Sequence, residues 1–255
     1  MIELPVAAQV YSVRKEAEED FEGTMERLAR MGYEGVELIS LYGKEPKELR
    51  ACLDSLGLKA VSAHVPLGEF DRDLEGTVQA YEELGCSYLA IPWMDVGRRG
   101  DPGRFQETLD YFPVMGARCQ KAGIQVCYHN HSYEFERTDT GEYWLDLLYR
   151  SVAPEDLAAQ LDLCWVKVSG VDPVEYLKKY RGRCPIIHLK DFIRNKDHLD
   201  QMPLGEGEMD WKAIFSQLED SQVQWLVVEQ DEHPHGDSME NMKKSIDYIR
   251  KIAKR

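Results

Sequence analysis

Eight times in succession the 255-residue sequence passes from a short apolar run to a segment of helical period. That alternation constrains the fold more than any other feature. The apolar runs are residues 6–11, 35–39, 60–65, 88–92, 124–130, 157–163, 185–190 and 225–230. Each is short and rich in Val, Ile, Leu or aromatic residues, as strands buried on both faces are. Helical spacing marks 21–31, 47–56, 73–84, 103–122, 142–151, 173–180, 211–218 and 238–252. Gly32, Gly57, Gly85 and Gly123 stand where a helical run gives way to a strand, the place of a left-handed helix cap. Strands separated by helices pair in parallel. Eight such units without a break predict an α/β protein closed into a (β/α)8 TIM barrel. The rival is an open doubly wound sheet, but no G-x-G-x-x-G loop follows the first strand. No linker rich in Pro, Gly or Ser interrupts the series, so residues 1–255 read as a single domain.

Bulk properties narrow the function. With 43% hydrophobic and 30% charged residues, the chain has the material for a large core and a solvated surface. A net charge of −15 removes any general attraction to nucleic-acid phosphates or anionic lipid. No uncharged apolar stretch approaches ~20 residues, so no span is predicted to cross a membrane. The N-terminal Met1-Ile2-Glu3-Leu4-Pro5 lacks the basic start and apolar run of a secretory signal. The six cysteines form no C-x-x-C pair and mostly sit in apolar runs, which predicts buried thiols and a cytoplasmic protein.

Parallel barrel strands present all their C-terminal ends on one face. Four residues near those ends in the second half suit a hard cation. They are Glu134 just after the fifth strand, Asp162 in the apolar AAQLDLCWV, His188 in CPIIHLKDF and Glu229 in WLVVEQD. A carboxylate inside an apolar run costs several kcal/mol unless partnered. A loop glutamate is ordinarily a surface group and a strand-end histidine often a core residue, so the pattern counts only as a set. Three carboxylates and one imidazole suit Mn²⁺ first, with Mg²⁺, Co²⁺ or Zn²⁺ as alternatives.

Other residues are candidates for contact with substrate. His129 and His131 alternate with Asn130, which sets the histidines and the asparagine on opposite faces; His131 is the one expected in the pocket. Lys190 shares the face of His188 and either binds a substrate oxygen or pairs with a carboxylate. Glu206 lies between glycines that allow a tight turn near a ligand. Tyr11, Trp93 and Trp165 at strand ends offer an aromatic floor or simply pack the barrel mouth. Long segments after the fourth and seventh strands, 97–103 and 191–210, fall where loops cover substrate.

The runs YHNHSYEF (128–135), LDLCWV (161–166), IHLKD (187–191), PLGEGEMDW (203–211) and VVEQD (227–231), with QVYSVR at the first strand, carry a resemblance. Together they resemble the xylose isomerase-like TIM-barrel superfamily. Within it they are similar to the sugar phosphate isomerase/epimerase group, which includes ketose 3-epimerases and inosose dehydratases. The resemblance implies that Glu134, Asp162, His188 and Glu229 ligate metal and that Glu134 and Glu229 shuttle the proton. It implies further that Arg194 contacts substrate and that His131 and His64 line the pocket. One departure stands out: where these relatives tend to carry a substrate-binding histidine three residues after the aspartate, this chain has Trp165.

The expected chemistry is removal of a proton next to a carbonyl, with a divalent cation stabilising the enediolate and a glutamate as base. The leading expectation is a sugar isomerase or epimerase, with a 3-keto sugar or keto-glycoside among the candidate substrates. A lyase, dehydrating an inosose or cleaving a keto-glycoside, starts from the same step. A non-catalytic metal-binding subunit of a larger assembly is the reading from another class. The DNA-repair branch of the fold is set aside, because its basic groove and extra histidine ligands do not suit this charge and seven histidines. The partners expected are a small-molecule sugar or sugar derivative and a second copy in a homo-oligomer, not nucleic acid or membrane.

Overall fold

The computed structural model describes residues 4–196 and 198–253. The reading of the extreme N-terminus rests partly on Met1–Glu3, which lie outside the described residues, as does Asp197 in the long segment after the seventh strand.

Eight parallel strands close into a barrel, as the alternation predicts. They are β1 (Val6–Gln9), β2 (Gly35–Leu38), β3 (Lys59–His64), β4 (Tyr88–Ile91), β5 (Gln125–His129), β6 (Ala158–Asp162), β7 (Ile186–Leu189) and, after a hairpin of β8 (Asp191–Asn195) and β9 (His198–Met202), β10 (Trp225–Val228). The ring closes where β1 pairs with β10, Val6 opposite Leu226. All eight helical segments form, among them Phe21–Met31, Leu74–Leu84 and the 20-residue Pro102–Lys121. Gly32 (φ 96°) and Gly85 (φ 90°) end two of them in the left-handed conformation that disfavours a Cβ.

Alternation along each strand fixes what the barrel encloses. Inward residues at the lower level are apolar: Ala7, Val61, Ala90, Cys127, Ala158, Ile186 and Val227 form one buried cluster. Two residues further along the same strands the series turns polar, from Ala7 to Gln9, Cys127 to His129, Ala158 to Gln160, Ile186 to His188 and Val227 to Glu229. The larger apolar core lies outside, between the strands and the helices. Five of the six cysteines are buried. Burial pushes the Cys119 and Cys184 thiols up to about 12.

Residues 191–210, expected as a covering loop, instead fold in their first part into an antiparallel hairpin of β8 (Asp191–Asn195) and β9 (His198–Met202). The remainder is pinned by one carboxylate. Asp191 accepts from the backbone N–H groups of Phe192, Gly205 and Met209 and from Trp211 Nε1, at 2.9–3.1 Å. A Cβ on Gly207 would run into Asp191 Oδ1 and the Phe192 carbonyl, so the chain passes there only as glycine.

Candidate metal centre and cleft

At the C-terminal end of the barrel, ligand-capable atoms of His129, Asp162, His188 and Glu229 all lie within 4.8 Å of one another. All four residues are buried. The strand register accounts for the meeting: Asp162 pairs with His188, and His188 with Val227, two residues before Glu229. Three of the four expected ligands therefore converge.

Glu134 is not among them. Strand β5 ends at His129, and Glu134 falls in the following 3-10 turn, Tyr133–Phe135. Its carboxylate is occupied there, accepting from Tyr128 Oη and from the His131 backbone N–H, each at 2.8 Å. Burial pushes that carboxyl up to about 7. The place of the fifth strand in the cluster belongs to His129, whose Nε2 lies 4.0 Å from Asp162 Oδ2. Burial, with His188 and His64 beside it, holds His129 well below the usual imidazole range, so it is neutral.

A carboxylate on β2 supports the cluster from below. Glu37, fully buried, accepts from Gln9 Nε2 and Gln160 Nε2 at 2.6 Å each and from the Ser62 hydroxyl. Its Oε1 lies 2.7 Å from His188 Nε2, while His188 Nδ1 lies 2.7 Å from Glu229 Oε2. Burial alone would lower His188, but these two carboxylates raise it to about 10. Burial likewise favours a neutral Glu37, yet His64 and His188 hold it well below the usual carboxylate range.

Lys190 is buried among carboxylates. Its Nζ is 3.2 Å from Asp162 Oδ2, 3.0 Å from Glu229 Oε2 and 3.0 Å from both oxygens of Asp231. Of the two roles open to it in the sequence, the structure gives the ion pair. Its ammonium overcomes burial to hold Glu229 well below its ordinary value. Asp231, half-buried, is pushed up to about 6 by desolvation, against the pull of Lys190.

The residues fit a divalent cation on two observations. Asp162 Oδ2 is buried and accepts no hydrogen bond, although the Lys190 ammonium stands 3.2 Å from it as an ion pair. In addition, Glu37, Asp162, Glu229 and Asp231 set four carboxylates against two cations, His188 and Lys190, an excess of two negative charges. The donor set, two imidazoles and two carboxylates, suits zinc as well as manganese.

Above the cluster opens a cleft of about 390 Å³. His64, His129, His131, Glu229 and Asp231 supply its polar side. Tyr11, Ile39, Pro66, Pro92 and Trp93 supply an apolar side. Tyr11 and Trp93 are 38% and 48% exposed, unusual for large aromatic residues, and both stand at this opening. His131 lies with its ring stacked on Tyr133, whose Oη is 3.3 Å from His131 Nδ1. His131 is held down to about 3, by burial and then by Lys190, so it too is neutral.

The remaining expected contacts are not brought to the cleft. Trp165 is not among the residues lining the cleft; its ring lies 6.0 Å from that of His131 and 5.6 Å from Lys190 Nζ. Arg194 projects from β8 with its side chain 54% exposed and 3.9 Å from Glu208, because the hairpin carries it outward. Glu206 faces the C-terminal helix, 3.7 Å from Lys244 Nζ. His129, Glu37, Gln160 and Asp231 are the functional candidates that the sequence analysis did not assign. The period-2 step from a buried apolar residue to a polar one, Cys127 to His129 and Ala158 to Gln160, was the signal that marks His129 and Gln160.

Comparison with known proteins agrees with this architecture. The family model described as a xylose isomerase-like TIM barrel matches residues 25–252. The inosose dehydratase of Lacticaseibacillus casei is 25% identical over 250 residues, covering 84% of this chain and 83% of that protein. A sugar phosphate isomerase/epimerase from Parabacteroides distasonis ATCC 8503 superposes with a TM-score of 0.84 at 23% identity, covering 98% of each chain. An IOLI protein whose crystal structure carries a zinc atom superposes with a TM-score of 0.74 at 12% identity, also over 98% of each chain.

Proposed function

The chain belongs to the xylose isomerase-like TIM-barrel family, and from that premise we propose that it is a divalent-metal-dependent enzyme that removes the proton beside the carbonyl of a sugar or cyclitol ketone. The observation that carries this reading is the buried convergence of His129, Asp162, His188 and Glu229 beneath an open cleft. Those four residues would hold the cation, which supplies Lewis acidity to offset the negative charge that develops as the proton leaves.

The chain's own groups then divide the work. Glu229 lines the cleft and stays ionised beside Lys190 and His188, so it is the base. The neutral imidazole of His131, oriented by Tyr133, faces the same space and donates to a departing hydroxyl. The apolar wall of Tyr11 and Trp93 seats a ring face and keeps water from that side.

Dehydration is the favoured outcome. Epimerisation by two carboxylates needs a second one across the cleft, and Glu134 is committed to Tyr128 and the His131 amide instead. The Lacticaseibacillus relative, named an inosose dehydratase, is consistent with that choice. In the proposed reaction the C–H proton passes to Glu229 and its electron pair forms the C=C bond. The β C–O bond breaks, and the hydroxide leaves as water with the proton that Glu229 has taken up, while the His131 N–H hydrogen-bonds the departing oxygen.

The test is NMR of an inosose or keto-sugar incubated with the metal-supplemented protein in D₂O. The reading expects loss of the α proton together with one equivalent of water. Deuterium exchange without loss of water turns the assignment to epimerase or isomerase. No exchange with any polyhydroxy ketone, at full metal occupancy, removes the reading.

A further inference from the structure

Lys190 is more than a partner for surplus carboxylates. It projects inward from the end of β7 on the same face as His188, and it is buried to 1% exposure. Its ammonium contacts Asp162 Oδ2 at 3.2 Å and Glu229 Oε2 at 3.0 Å, and these belong to two of the four converging residues. On its other side Asp231 holds the same ammonium through both oxygens at 3.0 Å. Asp231 is itself fixed by Gln201 Nε2 at 2.6 Å, from β9.

We propose that Lys190 is a built-in counter-cation that competes with a divalent ion for the oxygens of Asp162 and Glu229, and so keeps that ion loosely held. The inference rests on the metal reading above. The physical ground is the position of the charge. An ammonium within 3.2 Å of two ligand oxygens lies a few ångströms from any ion bound there. Like charges at that range in a protein interior repel strongly. Each oxygen that donates density to the ammonium also has less to give a metal. Asp231 works in the opposite sense: by drawing Lys190 toward itself it relieves Asp162 and Glu229. The affinity for the ion is then set by the balance between two groups, neither of which is a ligand.

A purely structural lysine makes a different prediction, because removing it would loosen the carboxylates and weaken metal binding. The experiment is calorimetric titration of the chelator-treated full chain with Mn²⁺ and with Zn²⁺. Four proteins are compared: wild type, Lys190→Met, Asp231→Asn and the double variant. The proposal expects Lys190→Met to bind at least about tenfold more tightly than wild type. Asp231→Asn should bind more weakly, and its loss should shrink in the Lys190→Met background, since Asp231 acts through the lysine. If Lys190→Met fails to fold, Lys190→Gln replaces it with the same expected direction. Equal or weaker binding by the lysine variant overturns the proposal while wild-type binding leaves the metal reading intact. No binding by any of the proteins overturns both.

Discussion

At the scale of single residues, the decisive pair is His129 and Glu134. The two lie five positions apart, and from sequence Glu134 is the expected ligand after the fifth strand, with no role for His129. Backbone geometry decides between them. The strand stops at His129, and the next turn carries the Glu134 carboxylate onto the Tyr128 hydroxyl and the His131 amide. His129→Gln should therefore lower metal affinity at least about tenfold, while Glu134→Gln should leave it within a few-fold; equilibrium dialysis with metal analysis separates the two. Glu134 also makes a pH prediction. Burial raises its folded-state carboxyl to about 7 against an ordinary 4.5. The folded protein thus holds more protons than the unfolded chain between those values, so this group's contribution to stability falls as pH rises through that window. The penalty reaches about 3 kcal/mol above pH 7 as an upper estimate. Denaturant titrations at pH 5 and pH 8 should show a smaller loss in Glu134→Gln than in wild type; an identical loss would contradict the assignment. Asp162 and Glu229 were legible because a carboxylate in an apolar strand demands a partner. Glu37 was not, because in EGVEL it reads as an ordinary alternating polar residue, and only barrel closure brings His188 to it.

At the scale of elements, all eight strands and eight helical segments were legible, because a two-face-buried strand and an amphipathic helix differ in period as well as composition. The hairpin of β8 and β9 was not. Its polar residues and solvent-facing position give no apolar run, and its pairing is antiparallel in a chain otherwise parallel. Arg194 was misplaced for that reason. The segment after the hairpin depends on a close approach at Gly207, so Gly207→Ala should destabilise the protein by about 1–3 kcal/mol through overpacking against Asp191 and Phe192. Thermal unfolding of that variant beside an alanine control at exposed Gly100, around which nothing crowds and whose backbone is not left-handed, provides the check.

At the scale of the whole molecule, the barrel separates two jobs along its axis. The apolar level around Ala7, Ala90 and Val227 holds the ring closed, and the polar level above it gathers charge. Four carboxylates against two cations make a cluster that a bound divalent ion should stabilise by mass action. With the ion at 100 times its dissociation constant, linkage predicts about 2.7 kcal/mol of added stability. Unfolding with and without the ion measures it, and an unchanged midpoint at saturating ion would count against specific binding to the native state. No helix among the described residues is long and apolar enough to cross a membrane.

Lys190 and Asp191 are neighbours whose side chains part company at the end of β7. One reaches down into the charged floor, and the other reaches out to gather the chain that runs from Gly205 to Trp211. A single peptide unit thus rivets the base of the cleft to part of its rim. Strain introduced in that rim has a direct mechanical route to the metal ligands, so a lesion that touches neither ion nor substrate is positioned to alter both.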